Sequence, residues 1–421
     1  MRTTPREPLA PSEPLPELAE FLAPFDVQFV RSEARRALER YLTGLLTEHS
    51  PKNCDTVAQI VPGTSEQRLQ GLLTQMVWDH DDLNRQRVQW LAGLPTEGDG
   101  VLIFDDTGFA KQGRSSVGVA WQYSGTLGKT ANCQVTVNCH YAERTLAWPI
   151  TTRLYLHESW AQDFDRRKKA RVPEEVIFQT KPQIALSLLD QANRWGIRHT
   201  CVTADADYGD NPNFLAGLEK RRELYVVAIR SDFAVALGSR DAPAQRVDAV
   251  LEGLPAATWR TVTWRQGSRE WLRGRFVAQR CWRVTTDGQR HRGWLIGEDQ
   301  GRDQRERWKS YWSNFGPQRP LSEMVEYAHR RHWVEQFHEE AKGELGWDQY
   351  QGRLWPGFHR HAAAVMLAYG FLVWREWQQR QQRRGPGRPR QAFSPSAGPT
   401  ENQRAGGASP GERRATARGA A

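Results

Sequence analysis

Val101-Leu-Ile-Phe104 runs straight into Asp105-Asp106-Thr107-Gly108, four apolar residues followed by two acids and a turn former. The run is a buried strand by its composition, and it ends on carboxylates. A second run does the same: the strand His199-Thr-Cys-Val-Thr203 passes through Ala204 into Asp205. Between the two lie two further strands, residues 132–142 and 147–155, and an amphipathic helix from Pro182 to Trp195. A helix over about 211–221 and a strand over Leu224–Ile229 continue the alternation. Consecutive strands followed by strand–helix–strand predict an α/β fold, a mixed sheet with helices packed on its faces. Acids at the ends of neighbouring strands then converge at one sheet edge.

Outward from this core the pattern changes. Residues 1–20 are rich in Pro and Glu and are expected to be disordered. Residues 21–98 read as a helical domain. Ala34, Ala37, Leu38, Tyr41, Leu42 and Leu45 recur at helical spacing behind Ser32, and Thr64 with Gln67 suggests a capping box before Leu69, Leu72 and Leu73. This domain is either a DNA-end binder or a plain helical cap on the core. Residues 99–231 form the first part of the core. Residues 232–312 are a β-rich insertion of short strands full of Trp, Arg and Val, and 313–380 hold a long helix over about 322–345 and a last helix over about 358–380. Residues 381–421 are expected to be a disordered basic tail.

The chain of 421 residues carries a formal charge of +9. From Arg375 onward ten Arg against three Glu give the tail +7, leaving about +2 on the rest. A polyanion must therefore be bound by the body through local patches, with the tail adding nonspecific affinity. Five scattered Cys show no paired metal spacing and fit a reducing cytoplasm. The longest apolar run, Ala362–Trp374, is too short to span a bilayer. A soluble, cytoplasmic protein is expected.

Carboxylates gathered at a sheet edge cost stability unless a cation meets them, and hard ions such as Mg²⁺ take oxygen ligands. On the predicted long helix, Tyr327, Arg331, Glu335, His338 and Lys342 share one face by spacing, beside an apolar stripe of Val334, Phe337, Ala341 and Leu345. The polar stripe reads either as a solvated, ion-paired face or as a Glu metal ligand flanked by phosphate-holding cations, with His338 as filler or phosphate neighbour.

The run Arg331-His-Trp-Val-Glu335-Gln-Phe-His-Glu-Glu-Ala-Lys342 closely resembles the Tyr-x2-Arg-x3-Glu-x6-Lys signature of DDE transposases from bacterial insertion sequences. Asp105-Asp106-Thr-Gly, with the stretch Ser116-Val-Gly-Val-Ala-Trp-Gln-Tyr-Ser-Gly-Thr-Leu-Gly-Lys129-Thr-Ala-Asn-Cys-Gln134, resembles the first-acid region of that group, and Ala204-Asp205-Ala-Asp-Tyr208-Gly its second-acid motif. The resemblance spans roughly 20–375. It implies an RNase H-like core with an inserted β region. It also implies Asp106, Asp205 and Glu335 as catalytic acids holding two Mg²⁺, Mn²⁺ being a possible substitute. Arg331, Lys342, Tyr327 and Lys129 would contact DNA. The expected activity is cleavage at the element's terminal inverted repeats and strand transfer, by a homodimer on double-stranded DNA at the bacterial nucleoid. Two departures stand out. Tyr327 lies one residue early, where Ala328 holds the signature position, and Asp207 stands where glycine is expected. Asp105 competes with Asp106 for the first acid, and the family pattern favours Asp106.

Two lesser signals remain. Trp264, Trp271, Trp282 and Trp294 alternate with Arg in the insertion and read either as base-stacking or as sheet-packing residues. Gly387-Arg388-Pro389 resembles an AT-hook core, which would place Arg388 in a minor groove. The rival readings are an RNase H-like nuclease without strand transfer and a domesticated or inactive DNA-binding protein.

Overall fold

Ten consecutive residues, Val101–Ala110 (β1), form the axis of the fold in a computed structural model that describes residues 9–94, 98–267, 270–301 and 307–384. After β1 come β2 (Ala120–Ser124), β3 (Lys129–Ala142), β4 (Ala147–Leu154), β5 (Cys201–Ala204) and β6 (Val226–Ile229). β3 runs antiparallel to β1, with Val101 opposite Ala142 and Ala110 opposite Cys133. Its other pairings are with β2 and β4, both antiparallel. β5 lies parallel to β1 on the opposite side, with Phe104 level with Ala204, and a parallel bridge from Val202 to Tyr225 brings up the start of β6. Four strands joined by three antiparallel pairings, followed by parallel ones, make the mixed α/β sheet expected of an RNase H-like core.

The insertion contributes β7 (Ala234–Leu237), β8 (Gln245–Arg246), β9 (Arg260–Gln266), β10 (Trp271–Val284), β11 (Arg290–Asp299) and β12 (Trp308–Ser313). These form an antiparallel sheet in the order β6-β12-β11-β10-β7-β8, with β9 also on β10. β6 therefore belongs to it, and the inserted sheet starts from the core rather than hanging off a linker.

The helices before the core are α1 (Pro16–Leu22), α2 (Ser32–Leu46), α3 (Cys54–Ile60), α4 (Glu66–Thr74) and α5 (His80–Ala92). Those after β4 are α6 (Glu158–Ala161), α7 (Phe164–Lys169), α8 (Lys181–Arg194), α9 (Ala206–Gly209), α10 (Pro212–Lys220), α11 (Val247–Glu252), α12 (Leu321–His329), α13 (His332–Gly343) and α14 (Trp355–Arg384). α8 begins with a full capping box, Thr180 and Gln183 each satisfying the other's backbone N–H. At α4 the cap is Ser65, whose hydroxyl accepts from the Arg68 N–H, not the Thr64 expected from spacing.

Two expectations are corrected, and one alternative is favoured. The segment before residue 20 is not wholly irregular: α1 buries Leu18, Phe21 and Leu22, and Phe21 packs on Phe371 and Trp374 of α14. Of the two readings of the helical region, its packing agrees with a cap on the core. Arg87 of α5 is fully buried and donates to the carbonyls of Pro149 (2.6 Å) and Ile150 (2.8 Å) in β4, and the described residues up to 384 form one compact unit. Finally, the long helix predicted over 322–345 is broken at Arg330–Arg331 into α12 and α13. No Gly or Pro lies there. Arg330 is held by Asp99 and Glu326 while Arg331 is held by Asp105 and Glu335, so two consecutive side chains are drawn to different elements. The turn tightens to i+3 bonds, Trp333 N–H to Arg330 and Val334 N–H to Arg331. The tail with Arg388 lies outside the described residues.

Candidate active site

Side chains alternate along β1, so Asp105 and Asp106 leave the strand on opposite sides. Phe104, on the Asp106 side, meets Phe214 of α10 at 6.3 Å. Ile103, on the Asp105 side, clusters with Val325 of α12 and Val334 of α13. Asp106 accepts a hydrogen bond from Lys181 Nζ at 2.5 Å, the lysine opening α8. Asp105 accepts one from Arg331 Nη1 at 3.0 Å, and the other side of that guanidinium pairs with Glu335.

Asp205 lies between these arrangements. It is the N-cap of α9, one oxygen accepting from the Asp207 (3.0 Å) and Tyr208 (3.3 Å) backbone N–H groups. Its carboxyl is pushed up to about 6 by burial, with Asp106 and Asp207 adding and Arg331 opposing. The Asp105 carboxyl is also raised, by burial first, with Asp205 and Asp106 reinforcing and Arg331 opposing. Three carboxylates are thus close enough to repel one another through low-dielectric surroundings, and two protein cations, Lys181 and Arg331, relieve them. The buried Tyr208 hydroxyl, within electrostatic reach of all three, has no hydrogen-bond partner among the described residues.

Of the other Asp residues in the second motif, Asp207 pairs with Arg230 and so does Asp210, at 3.2 Å, which ties the motif to the end of β6. Asp207, the departure from the expected glycine, is thus neutralised outside the acid cluster.

Glu335 stands apart from the two aspartates. Its side chain is 56% exposed and held back by Arg331. Among the described residues no three or more His, Cys, Asp or Glu are gathered closely enough to hold a metal ion. The donor set still suits a hard divalent cation. Asp106 and Asp205 could offer oxygen ligands, a lysine ammonium already neutralises one of them, and the buried Tyr208 hydroxyl adds a polar group next to them. Glu335 remains paired with Arg331 and is not part of that set.

The remaining predicted contacts sort differently. Lys342 Nζ donates to Thr107 Oγ1 (2.5 Å) and to the Gly108 carbonyl (3.1 Å), fixing α13 to β1 just beyond the acids, and burial lowers its pKa to about 8. Lys129 is exposed at the start of β3. Tyr327 is not available to DNA: with the helix broken, its ring is buried against Phe315 at 5.9 Å under the Arg330 guanidinium. His338 is half-buried beside Asn138 and His140, in packing contact with the core. In the insertion, Trp264 stacks on His329 at 4.2 Å and Trp294 lies under Arg280, while Trp271 is 46% exposed. Lys181 escaped the sequence reading altogether, since nothing in its local pattern links it to an acid 75 positions away.

The family model for DDE superfamily endonucleases matches residues 24–270, and that for the transposase DDE domain matches residues 179–371. Members of these families generally depend on divalent metal ions. The chain is 27% identical over 325 residues to a probable transposase for insertion sequence element IS701 from Microchaete diplosiphon, a match covering 74% of this chain and 76% of that protein. With more than half its length matched by the first of these models, the chain belongs to the DDE superfamily endonuclease family and is an enzyme of the DNA transposase type.

Proposed function

We propose that this chain binds the terminal inverted repeats of an insertion sequence, cuts there and joins the freed end to target DNA, with Asp106, Asp205 and Glu335 holding two divalent ions, Mg²⁺ or Mn²⁺. The observation that carries this reading is the pairing of Asp106 with Lys181 beside a destabilised Asp205. An ammonium sits at an acid pair whose mutual repulsion favours a cation of higher charge. Bound divalent ions supply the charge that activates the attacking oxygen and stabilises the leaving one.

The protein's own groups do the rest by positioning. The cap bonds to Asp205 fix one of its oxygens and leave the other for a ligand. Lys342 anchors α13 to β1, so that Glu335 is carried on a helix fixed relative to Asp106. Arg331 restrains Glu335 and releases it when DNA phosphates compete for the guanidinium. Lys129 and the basic tail with Arg388 would add contacts to the DNA backbone and minor groove. A homodimer would pair the two element ends, beside the nucleoid in the cytoplasm. Among the described residues no helix is long and apolar enough to cross a membrane.

The test is an incubation of the chain with a pre-cut element end and plasmid target in Mg²⁺. Joined product, absent with Asp205→Asn, is expected. Cleavage without joining would replace the transposase reading with a plain nuclease.

A further inference from the structure

We propose that the β2–β3 hairpin carries a nucleobase platform, Trp121 and Tyr123, which stacks unpaired bases of the DNA next to the acid cluster. This rests on the reading of the chain as a DNA-processing enzyme, and it concerns residues outside the acid cluster and outside the inserted sheet.

β2 alternates cleanly. Gln122 and Ser124 point inward and are buried, whereas Trp121 and Tyr123 point outward and are 71% and 54% exposed. Two large aromatic rings two residues apart on a strand lie on the same side. Burial is the ordinary fate of such rings, and their exposure in pairs marks a surface made for contact.

The hairpin is not a loose flap. Its turn, Gly125–Leu127, folds back on β1: Thr126 Oγ1 accepts from the Gly108 N–H at 3.1 Å and lies 3.1 Å from Thr107 Oγ1. Thr107 Oγ1 also receives Lys342, and Thr107 directly follows Asp106. Gly108 has no side chain because a Cβ there would run into the Ser124 hydroxyl. The platform is therefore keyed to the strand that bears the first acid.

Its surroundings match a polyanion. Arg114 precedes β2 and Lys129 follows its turn, and both are exposed. α7 adds exposed Lys168 and Lys169, and it is tied to the loop before β2 by Arg166 donating to the Arg114 carbonyl (2.7 Å). Trp160 of α6 holds the same loop by donating to the Val119 carbonyl at 2.7 Å. Cations alone would serve a duplex backbone. Exposed rings add something only where a base offers its face, and bases do so when they are unpaired. Bases taken out of the duplex next to a cut would offer such faces.

The experiment uses the full chain in EDTA at fixed salt, so that binding is read without catalysis. The probes are an oligothymidylate and a blunt-ended, fully paired duplex. Trp121→Ala combined with Tyr123→Ala should weaken oligothymidylate binding by about tenfold or more, within the range known for base–aromatic stacking, and leave the duplex within about twofold. Trp121→Phe with Tyr123→Phe should keep most of the affinity for both, and circular dichroism should show the same fold in all variants. Equal loss on both DNAs, no loss on either, or a changed oligomeric mass in place of a changed affinity would overturn the proposal, the last by showing a protein interface. The readout is taken in EDTA and does not depend on the acids holding a metal ion. A chain that fails to cut in Mg²⁺ yet shows the selective loss would therefore sink the metal reading and spare this one.

Discussion

Arg331→Ala offers a perturbation whose size follows from geometry. The guanidinium has two partners of different kinds. Asp105 is buried, and its carboxyl keeps company with Asp106 and Asp205. Glu335 lies in the first turn of α13 with more than half its side chain in water. Removing one partner of a buried ion pair costs about 3–5 kcal/mol, because the other charge is stranded. Arg331 retains some solvent contact, so a loss of about 2–3 kcal/mol is expected here. An exposed i,i+4 pair such as Arg331–Glu335 is worth only about 0.3–0.5 kcal/mol. Two double-mutant cycles separate the terms. In urea denaturation, Arg331→Ala with Asp105→Asn should show a coupling of about 2 kcal/mol, and Arg331→Ala with Glu335→Gln less than about 0.5 kcal/mol. Coupling to Glu335 as large as that to Asp105 would refute the assignment of Arg331 as the counter-ion of the buried acid.

Other outcomes follow from the same contacts. Lys181→Met removes the ammonium that competes for Asp106, so the concentration of Mn²⁺ giving half-maximal thermal stabilisation should fall in the variant. A Cβ at Gly209 would run into the Ala228 carbonyl. Gly209→Ala should therefore part α9 from β6 and cost about 1–3 kcal/mol, read as a lowered thermal midpoint. His140, His359 and His361 are buried, which brings the first two to about 3 and the last to about 4. Depressed values mean that the unfolded chain takes up protons first. The stability these residues contribute is present above about pH 6.5 and is lost as pH falls toward about 4, at most about 2 kcal/mol each by about pH 5. A thermal midpoint that stays level across that window would contradict the burial of neutral imidazoles.

Parts of the fold announce themselves in the chain and parts do not. β1 and β5 could be read because each is an apolar run stopped by an acid, and α8 because its apolar positions recur at helical spacing. β2 went unread. Ala-Trp-Gln-Tyr-Ser is a short alternation set among Gly and Ser, and its strand character comes from pairing with β3. The break between α12 and α13 was invisible because ion pairs to Asp99 and Asp105, more than 200 residues upstream, impose it, not Gly or Pro. The same break explains why Tyr327, placed on the face of Arg331 by spacing alone, instead packs on Phe315. Asp106 and Asp205 could be picked out by motif order and by the apolar runs before them, although β1 continues past Asp106 to Ala110. Lys181 and the holding of Glu335 by Arg331 were not, because they arise only from the packing of α8 and α13 around β1.

The central claim is that Asp106, Asp205 and Glu335 share divalent ions once DNA is bound. Counting Mn²⁺ by electron paramagnetic resonance on the chain saturated with element-end DNA tests it directly. Two bound ions are predicted, with binding weakened in each of Asp106→Asn, Asp205→Asn and Glu335→Gln while Asp207→Asn leaves it unchanged. Mn²⁺ binding that survives all three substitutions would contradict the account.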